Sequence, residues 1–184
     1  MLEAKRQRRH RGRPRSEAGP RRNGTPTQTR LLAVRVLERV ERAGAYADLA
    51  LHAALRRSRL TPADRALATE LVYGTLRWRG RLDFLLSRVL ERNFDTLEPL
   101  VATLLRVGAY QLVFTGSVPD SAAVDQTVRC ARAVGAERAT GLVNGVLRHL
   151  ARIHTKIPLP GLREDPLGHL TAALSLPSWI AERW

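Results

Sequence analysis

The chain has 184 residues, a formal net charge of +14, 44% apolar residues and 5% aromatic residues. This length accommodates one domain with tails or two very small domains, and the charge favours a polyanionic partner. A single cysteine, Cys130, excludes an intramolecular disulfide and a zinc site built on several thiolates. Since no apolar run reaches the roughly 18 residues that span a bilayer, we expect a cytoplasmic protein without a membrane partner.

The positive charge is concentrated at the start of the chain. Residues 1–30 contain ten Lys or Arg and only two Glu. Residues 1–26 are polar and interrupted by Pro and Gly, which predicts a disordered arm. Its arginines suit electrostatic contact with RNA phosphates, and the alternatives are a solubilising tail or a wrongly assigned start codon.

From Thr27 onward, apolar residues recur at helical spacing, and no strand-like alternation of useful length is found. We predict an all-α fold of about seven helices in two packed subdomains. Thr61 and Pro62 suit the start of a helix, and Gly44 and Gly135 suit helix ends. The predicted helices cover about 27–43, 46–58, 62–78, 82–90, 97–114, 120–134 and 137–152, with a short helix at 165–174.

Three stretches carry a resemblance to a known family. They are ELVYGTLR at residues 70–77, VGAYQL at 107–112 followed by AAVDQTV at 122–128, and GLVNGVLR at 141–148. In this order and spacing they resemble the NusB-type RNA-binding domain, in the version fused to the front of the bacterial RsmB (Sun) family of rRNA cytosine-5 methyltransferases. The resemblance covers about residues 27–152 and implies a NusB-like helical bundle.

The last residues resemble a different part of those enzymes. LPSWIAERW, at residues 176–184, is similar to the segment that leads into the catalytic part of the methyltransferases. We therefore interpret residues 153–184 as a linker and the start of the region leading to a missing domain. The resemblance implies a truncated methyltransferase or its isolated N-terminal region.

By the same resemblance, the catalytic part would bind S-adenosylmethionine on a Rossmann-like sheet and use cysteine chemistry. This chain has no Gly-rich turn followed by an acidic residue, and no Pro-Cys motif. Cys130 lies in a predicted helix beside Ala131 and is interpreted as a packing residue. We predict no catalytic, cofactor-binding or metal-binding residue in this chain, and the sequence leaves open whether it is part of an enzyme.

The resemblance implies that the Arg-rich first helix contacts RNA. The matching residues are Arg30, Arg35, Arg39 and Arg42. The alternative is a solvated helix face on which Glu38 and Glu41 pair with arginines of the same helix.

A second cluster combines Arg77, Arg79 and Arg81 with Trp78. Arginine and aromatic side chains hold single-stranded RNA in many complexes, so these arginines are RNA-binding candidates. For Trp78 itself, we favour a packing role over stacking on a base.

The predicted helix at residues 137–152 supplies two further candidates, Arg148 and Arg152. In the same helix, Gly145 costs about 1 kcal/mol relative to Ala. We interpret Gly145 as a point of close helix–helix approach and Asn144 as a residue that bonds a neighbouring backbone.

The predicted function is RNA binding that docks small-subunit rRNA for a methyltransferase domain absent from this chain, by cationic contacts to phosphates. A ribosomal protein or the methyltransferase domain is the expected protein partner. The alternatives are a stand-alone NusB-type antitermination factor that binds leader RNA, and a helical protein–protein adaptor.

Overall fold

A computed structural model describes residues 27–116 and 118–183, and the arm predicted at residues 1–26 lies outside these ranges. The described residues form helices and no strand, which confirms the predicted all-α fold. The seven longer helices are α1 (Gln28–Ala43), α2 (Ala47–Arg57), α3 (Pro62–Arg77), α4 (Arg79–Ser87), α5 (Pro99–Phe114), α6 (Asp120–Ala133) and α7 (Thr140–Ile153). No described helix is both long and apolar enough to cross a membrane.

The core is organised around α5, in which every residue from 101 to 112 is buried. Helix α5 contacts α1, α3 and α4 as well as α6 and α7. The group α1–α3 and the group α4–α7 therefore share one hydrophobic core across this central helix.

The helix ends follow from the residues at them. The backbone N–H of Asp64 donates to the Thr61 hydroxyl, which caps α3, and Pro62 occupies its first position. The Asp64 carboxylate also accepts hydrogen bonds from the hydroxyls of Thr61 (2.8 Å) and Thr29 of α1 (2.9 Å). These bonds, that of Thr61 foremost, lower the pKa of Asp64 and join α3 to α1.

Two glycines allow close approach to α5. A Cβ added at Gly74 of α3 would clash with the Tyr110 ring, and one added at Gly108 would clash with Leu147 of α7. Both glycines are therefore packing residues.

The interpretation of Gly145 and Asn144 is wrong. A Cβ added at Gly145 would meet no atom within 4 Å, because this face of α7 is open to solvent. The Asn144 side chain accepts a hydrogen bond from Nε of Arg148 one turn later (2.9 Å) rather than bonding a neighbouring backbone.

Three predicted boundaries also differ. The break expected at residues 77–81 is a single residue, Trp78, between α3 and α4. The expected start of α7 is a 3₁₀ turn (Glu137–Ala139), and the expected helix at 165–174 is α8 (Pro166–Gly168) followed by a π-helix (His169–Ala173). A short α9 (Ser178–Ala181) follows.

The C-terminal tail, residues 153–183, folds back onto α4. The backbone N–H of Arg81 donates to the Ser175 hydroxyl (3.2 Å). Gly80 lies so close to the π-helix that an added Cβ would clash with the carbonyl oxygen of Thr171. The tail is thus a packed extension of the bundle.

The two glycine environments predict opposite stability changes. We expect Gly74→Ala to lower the free energy of unfolding by about 1–3 kcal/mol, because the buried Tyr110 ring cannot yield easily. Gly145→Ala, the matched control on an open helix face, should raise it by up to about 1 kcal/mol. Urea unfolding followed by circular dichroism measures both, and equal effects would contradict this packing.

Candidate nucleic-acid interface

A cationic concavity lies between α1 and α2, and we call it the arginine groove. It has a volume of about 550 Å³ and an apolar floor that includes Leu31, Val36 and Ala50. Four arginines and no acidic residue line it; they are Arg35 and Arg39 of α1, Arg57 of α2, and Arg59. All four are exposed.

The predicted candidates of α1 lie in different environments. Arg35 and Arg39 lie in the arginine groove. Arg42 is exposed and forms an ion pair with Glu38 one turn earlier (3.2 Å), as the alternative interpretation expected for this face. Such an exposed pair contributes little to stability.

Arg30 lies on the inner face of α1 and is 9% exposed. Its Nε donates to Oε1 of Gln111 in α5 (2.6 Å), and its Nη1 donates to the Thr27 hydroxyl (3.1 Å). The structure gives Arg30 a packing role between α1 and α5, so its position does not support the RNA contact that we predicted for it.

Glu41 pairs across helices rather than within α1. Its carboxylate contacts Arg79 of α4 (2.7 Å) and Arg106 of α5 (3.8 Å). Asp83 completes the cluster by accepting two hydrogen bonds from Arg106, at 2.6 and 2.9 Å. Arg79 is therefore engaged in a structural network that joins α1, α4 and α5.

The other residues of the Arg77–Arg81 cluster also lie in different environments. The Trp78 ring stacks on Phe114 of α5 with 4.8 Å between ring centroids, which confirms its packing role. The Arg81 guanidinium lies 5.7 Å from the centre of the Phe114 ring. Within this cluster, the exposed Arg77 side chain forms no hydrogen bond or ion pair with another described residue.

The two candidates of α7 lie apart from the arginine groove. Arg148 is exposed and bonded to Asn144. Arg152 lines a second groove, of about 640 Å³, together with Arg92, His149 and Glu91. An acidic side chain in this lining makes the second groove less selective for an anion than the arginine groove.

Sequence reasoning missed Arg57 and Arg59. The run RRSR at residues 56–59 was visible in the sequence. However, only the packing of α2 against α1 shows which of these arginines face the groove, since helix orientation is a tertiary property.

Cys130 is fully buried in α6. Burial raises the pKa of its thiol to about 12, although the charges of Arg30 and Arg35 oppose the shift. A thiol in this state is unreactive, which agrees with the predicted packing role. Among residues 27–116 and 118–183, no cluster of His, Cys, Asp and Glu has the arrangement of a metal site.

These features define a class of protein, an all-helical domain with a groove on its first two helices that is lined by arginines and by no acidic residue. Residues 27–152 match the family model of the NusB family. The chain therefore belongs to the NusB family. T. maritima NusB has the same fold, with a TM-score of 0.62 and 25% identity over 67% of this chain and 88% of that one.

The curated relatives are longer proteins. The ribosomal RNA small subunit methyltransferase B of Thermus thermophilus is 44% identical over 163 residues, which cover 89% of this chain and 36% of that protein. The enzyme of the same name from Pseudomonas putida is 38% identical over 138 residues, 75% of this chain and 31% of that protein. The chain thus spans about a third of the length of these relatives.

The likeness to the Thermus thermophilus protein includes part of the C-terminal tail. Residues 1–152 are 152 of 184, about 83% of the chain, so an alignment covering 89% must extend beyond residue 152. The match to T. maritima NusB covers 67% of this chain and 88% of that protein. Part of the tail, which lies outside the 27–152 match to the NusB family model, is therefore similar to the methyltransferase.

The burial of Cys130 makes a direct prediction. At pH 8, well below the raised pKa of about 12, the folded chain should react with a thiol reagent such as DTNB far more slowly than the chain unfolded in guanidinium. Rapid labelling of the folded chain, at the rate of a free thiol, would show that Cys130 is accessible.

Proposed function

We propose that this chain binds RNA through the arginine groove and docks small-subunit rRNA for a methyltransferase. The single observation that carries the proposal is the lining of the groove, four exposed arginines and no acidic side chain. Guanidinium groups form paired hydrogen bonds with phosphate oxygens, so several of them along one groove can follow an RNA backbone.

The comparisons support the choice of partner. A NusB protein that shares 22% identity and a TM-score of 0.62 with this chain was solved as antitermination factors NusB and NusE in complex with double-stranded RNA. The curated relatives are named for methylation of small-subunit rRNA. The first finding concerns a protein of the same fold, and the second concerns proteins about two and a half times as long as this chain.

The described residues do not fit the methyl donor. S-adenosylmethionine binds on Rossmann-like sheets at a turn from a strand to a helix, and residues 27–116 and 118–183 contain no strand. We assign no cofactor to these residues and no step of the transfer. In this proposal the chain holds and orients the RNA, and the chemistry belongs to the catalytic region of the longer relatives.

A stand-alone antitermination factor is the alternative for the same fold. The similarity that extends into the C-terminal tail favours the methyltransferase type, because the NusB family model matches only residues 27–152. Affinity for small-subunit rRNA well above that for a leader RNA would agree with this preference. The reverse order would favour antitermination.

The groove makes a quantitative prediction for RNA binding. We expect the affinity for a stem-loop fragment of small-subunit rRNA to fall steeply with salt. The double variant Arg35→Gln with Arg39→Gln should lower the slope of log K against log salt by about 2, roughly one for each lost phosphate contact. Fluorescence anisotropy over 50–400 mM KCl (roughly the range in which such slopes are linear) measures the slopes.

The matched control is Arg163→Gln, which removes an exposed arginine of the C-terminal tail that does not line the groove. Its slope should equal that of the unmodified chain. Equal slopes for the unmodified chain and the double variant would refute RNA docking in the arginine groove.

A further inference from the structure

Tyr46 is unusual in its exposure and in its position at a helix end, and neither feature stabilises the fold. It is the most exposed large apolar residue among the described ones, at 77% of its surface. It also occupies the N-cap of α2, a position that favours Ser, Thr, Asp or Asn, and its side chain forms no capping hydrogen bond. A residue that the fold does not need in this form is a candidate for binding.

Helix spacing places Tyr46 at one end of the arginine groove. Residues 46, 50, 53 and 57 follow one stripe of α2, and Ala50, Ala53 and Arg57 line the groove. The N–H of Ala50 donates to the carbonyl oxygen of Tyr46 (3.0 Å), so Tyr46 lies one turn before Ala50, directly before the first residue of α2, with its own backbone extended. Asp48, the acidic residue in the first turn of α2, lies on a different side of the helix from this stripe.

The surface next to Tyr46 also exposes apolar and cationic side chains. Leu49, one turn after Tyr46, is 65% exposed. On the facing helix, Arg39 lines the groove, and Arg42 follows it by one turn. An aromatic ring and an apolar side chain beside exposed guanidinium groups form the combination on which unpaired bases stack while their phosphates are neutralised.

We infer that Tyr46 is a stacking platform for an unpaired base, so that the arginine groove takes a single-stranded segment of RNA, such as a loop, rather than a continuous duplex. The inference rests on the proposed function and deepens it. Arginines of the groove hold the backbone, and the Tyr46 ring receives the face of one base at the α2 end. The Trp78 ring stacks on Phe114 and is therefore not available to stack on a base.

The test uses the unmodified chain and two variants of Tyr46. Tyr46→Ser removes the ring and supplies a better N-cap, so the fold should be at least as stable. Tyr46→Phe keeps the ring. For a 12-nucleotide single-stranded RNA, we expect Tyr46→Ser to weaken binding by about 5- to 100-fold and Tyr46→Phe to change it little.

The control variant is Tyr73→Ser, which removes an exposed tyrosine of α3 that does not line the groove. It should leave RNA affinity unchanged. Thermal unfolding of all three variants verifies that they are folded.

Two readouts separate stacking from a structural role. The loss caused by Tyr46→Ser should be the same factor at every salt concentration, because stacking releases no counterions. An RNA carrying 2-aminopurine should show fluorescence quenching with the unmodified chain and with Tyr46→Phe, but not with Tyr46→Ser.

The outcomes also separate this inference from the function on which it rests. RNA binding that is unaffected by Tyr46→Ser, or stronger binding to the matching duplex, would overturn the inference and leave the proposed function standing. Absence of RNA binding by the unmodified chain would overturn both.

Discussion

The contact between α1 and α5 fixes which arginines of α1 reach solvent. Helix α5 is buried along residues 101–112, and α1 lies against it with Ala33, Val34 and Leu37 inward. Arg30 adds a buried hydrogen bond to Gln111 of α5. Because successive helix residues turn by about 100°, fixing this inner face leaves Arg35 and Arg39 on the outer one.

Many of the remaining cations in the folded body are already neutralised or packed. Arg106 is 8% exposed, and a buried guanidinium requires partners, which Asp83 and Glu41 provide. Arg79 shares the same acceptors. The net charge of +14 therefore says little about where a polyanion binds. The arginine groove combines four exposed arginines with no acidic lining residue.

The fold could be predicted closely from the sequence, because long apolar stripes at helical spacing specify both the helices and their buried faces. The boundary between α3 and α4 could not, since a one-residue break at Trp78 depends on the stacking of that ring on Phe114. Gly74 and Gly145 look alike in the sequence, since both lie within helices. Only the tertiary structure shows that one faces an aromatic ring and the other faces solvent.

The candidate site was less predictable than the fold for the same reason. Sequence identifies arginines but does not give their partners, so Arg30 and Arg35 were treated alike although one is buried and the other is exposed. Arg57 and Arg59 belong to the groove only because α2 packs against α1. The interpretation of the C-terminal tail as the start of a region leading to a further domain stays a prediction, and part of the tail lies within the similarity to a longer methyltransferase.

The measurement that tests the central claim most directly is a map of amide chemical-shift changes while a small-subunit rRNA stem-loop is titrated into the ¹⁵N-labelled chain. If the arginine groove is the docking surface, the largest changes among the described residues will fall in α1 and α2, around Arg39 and Arg57. Changes concentrated in the second groove around Arg152, or in the C-terminal tail, with α1 and α2 unaffected, would contradict the account.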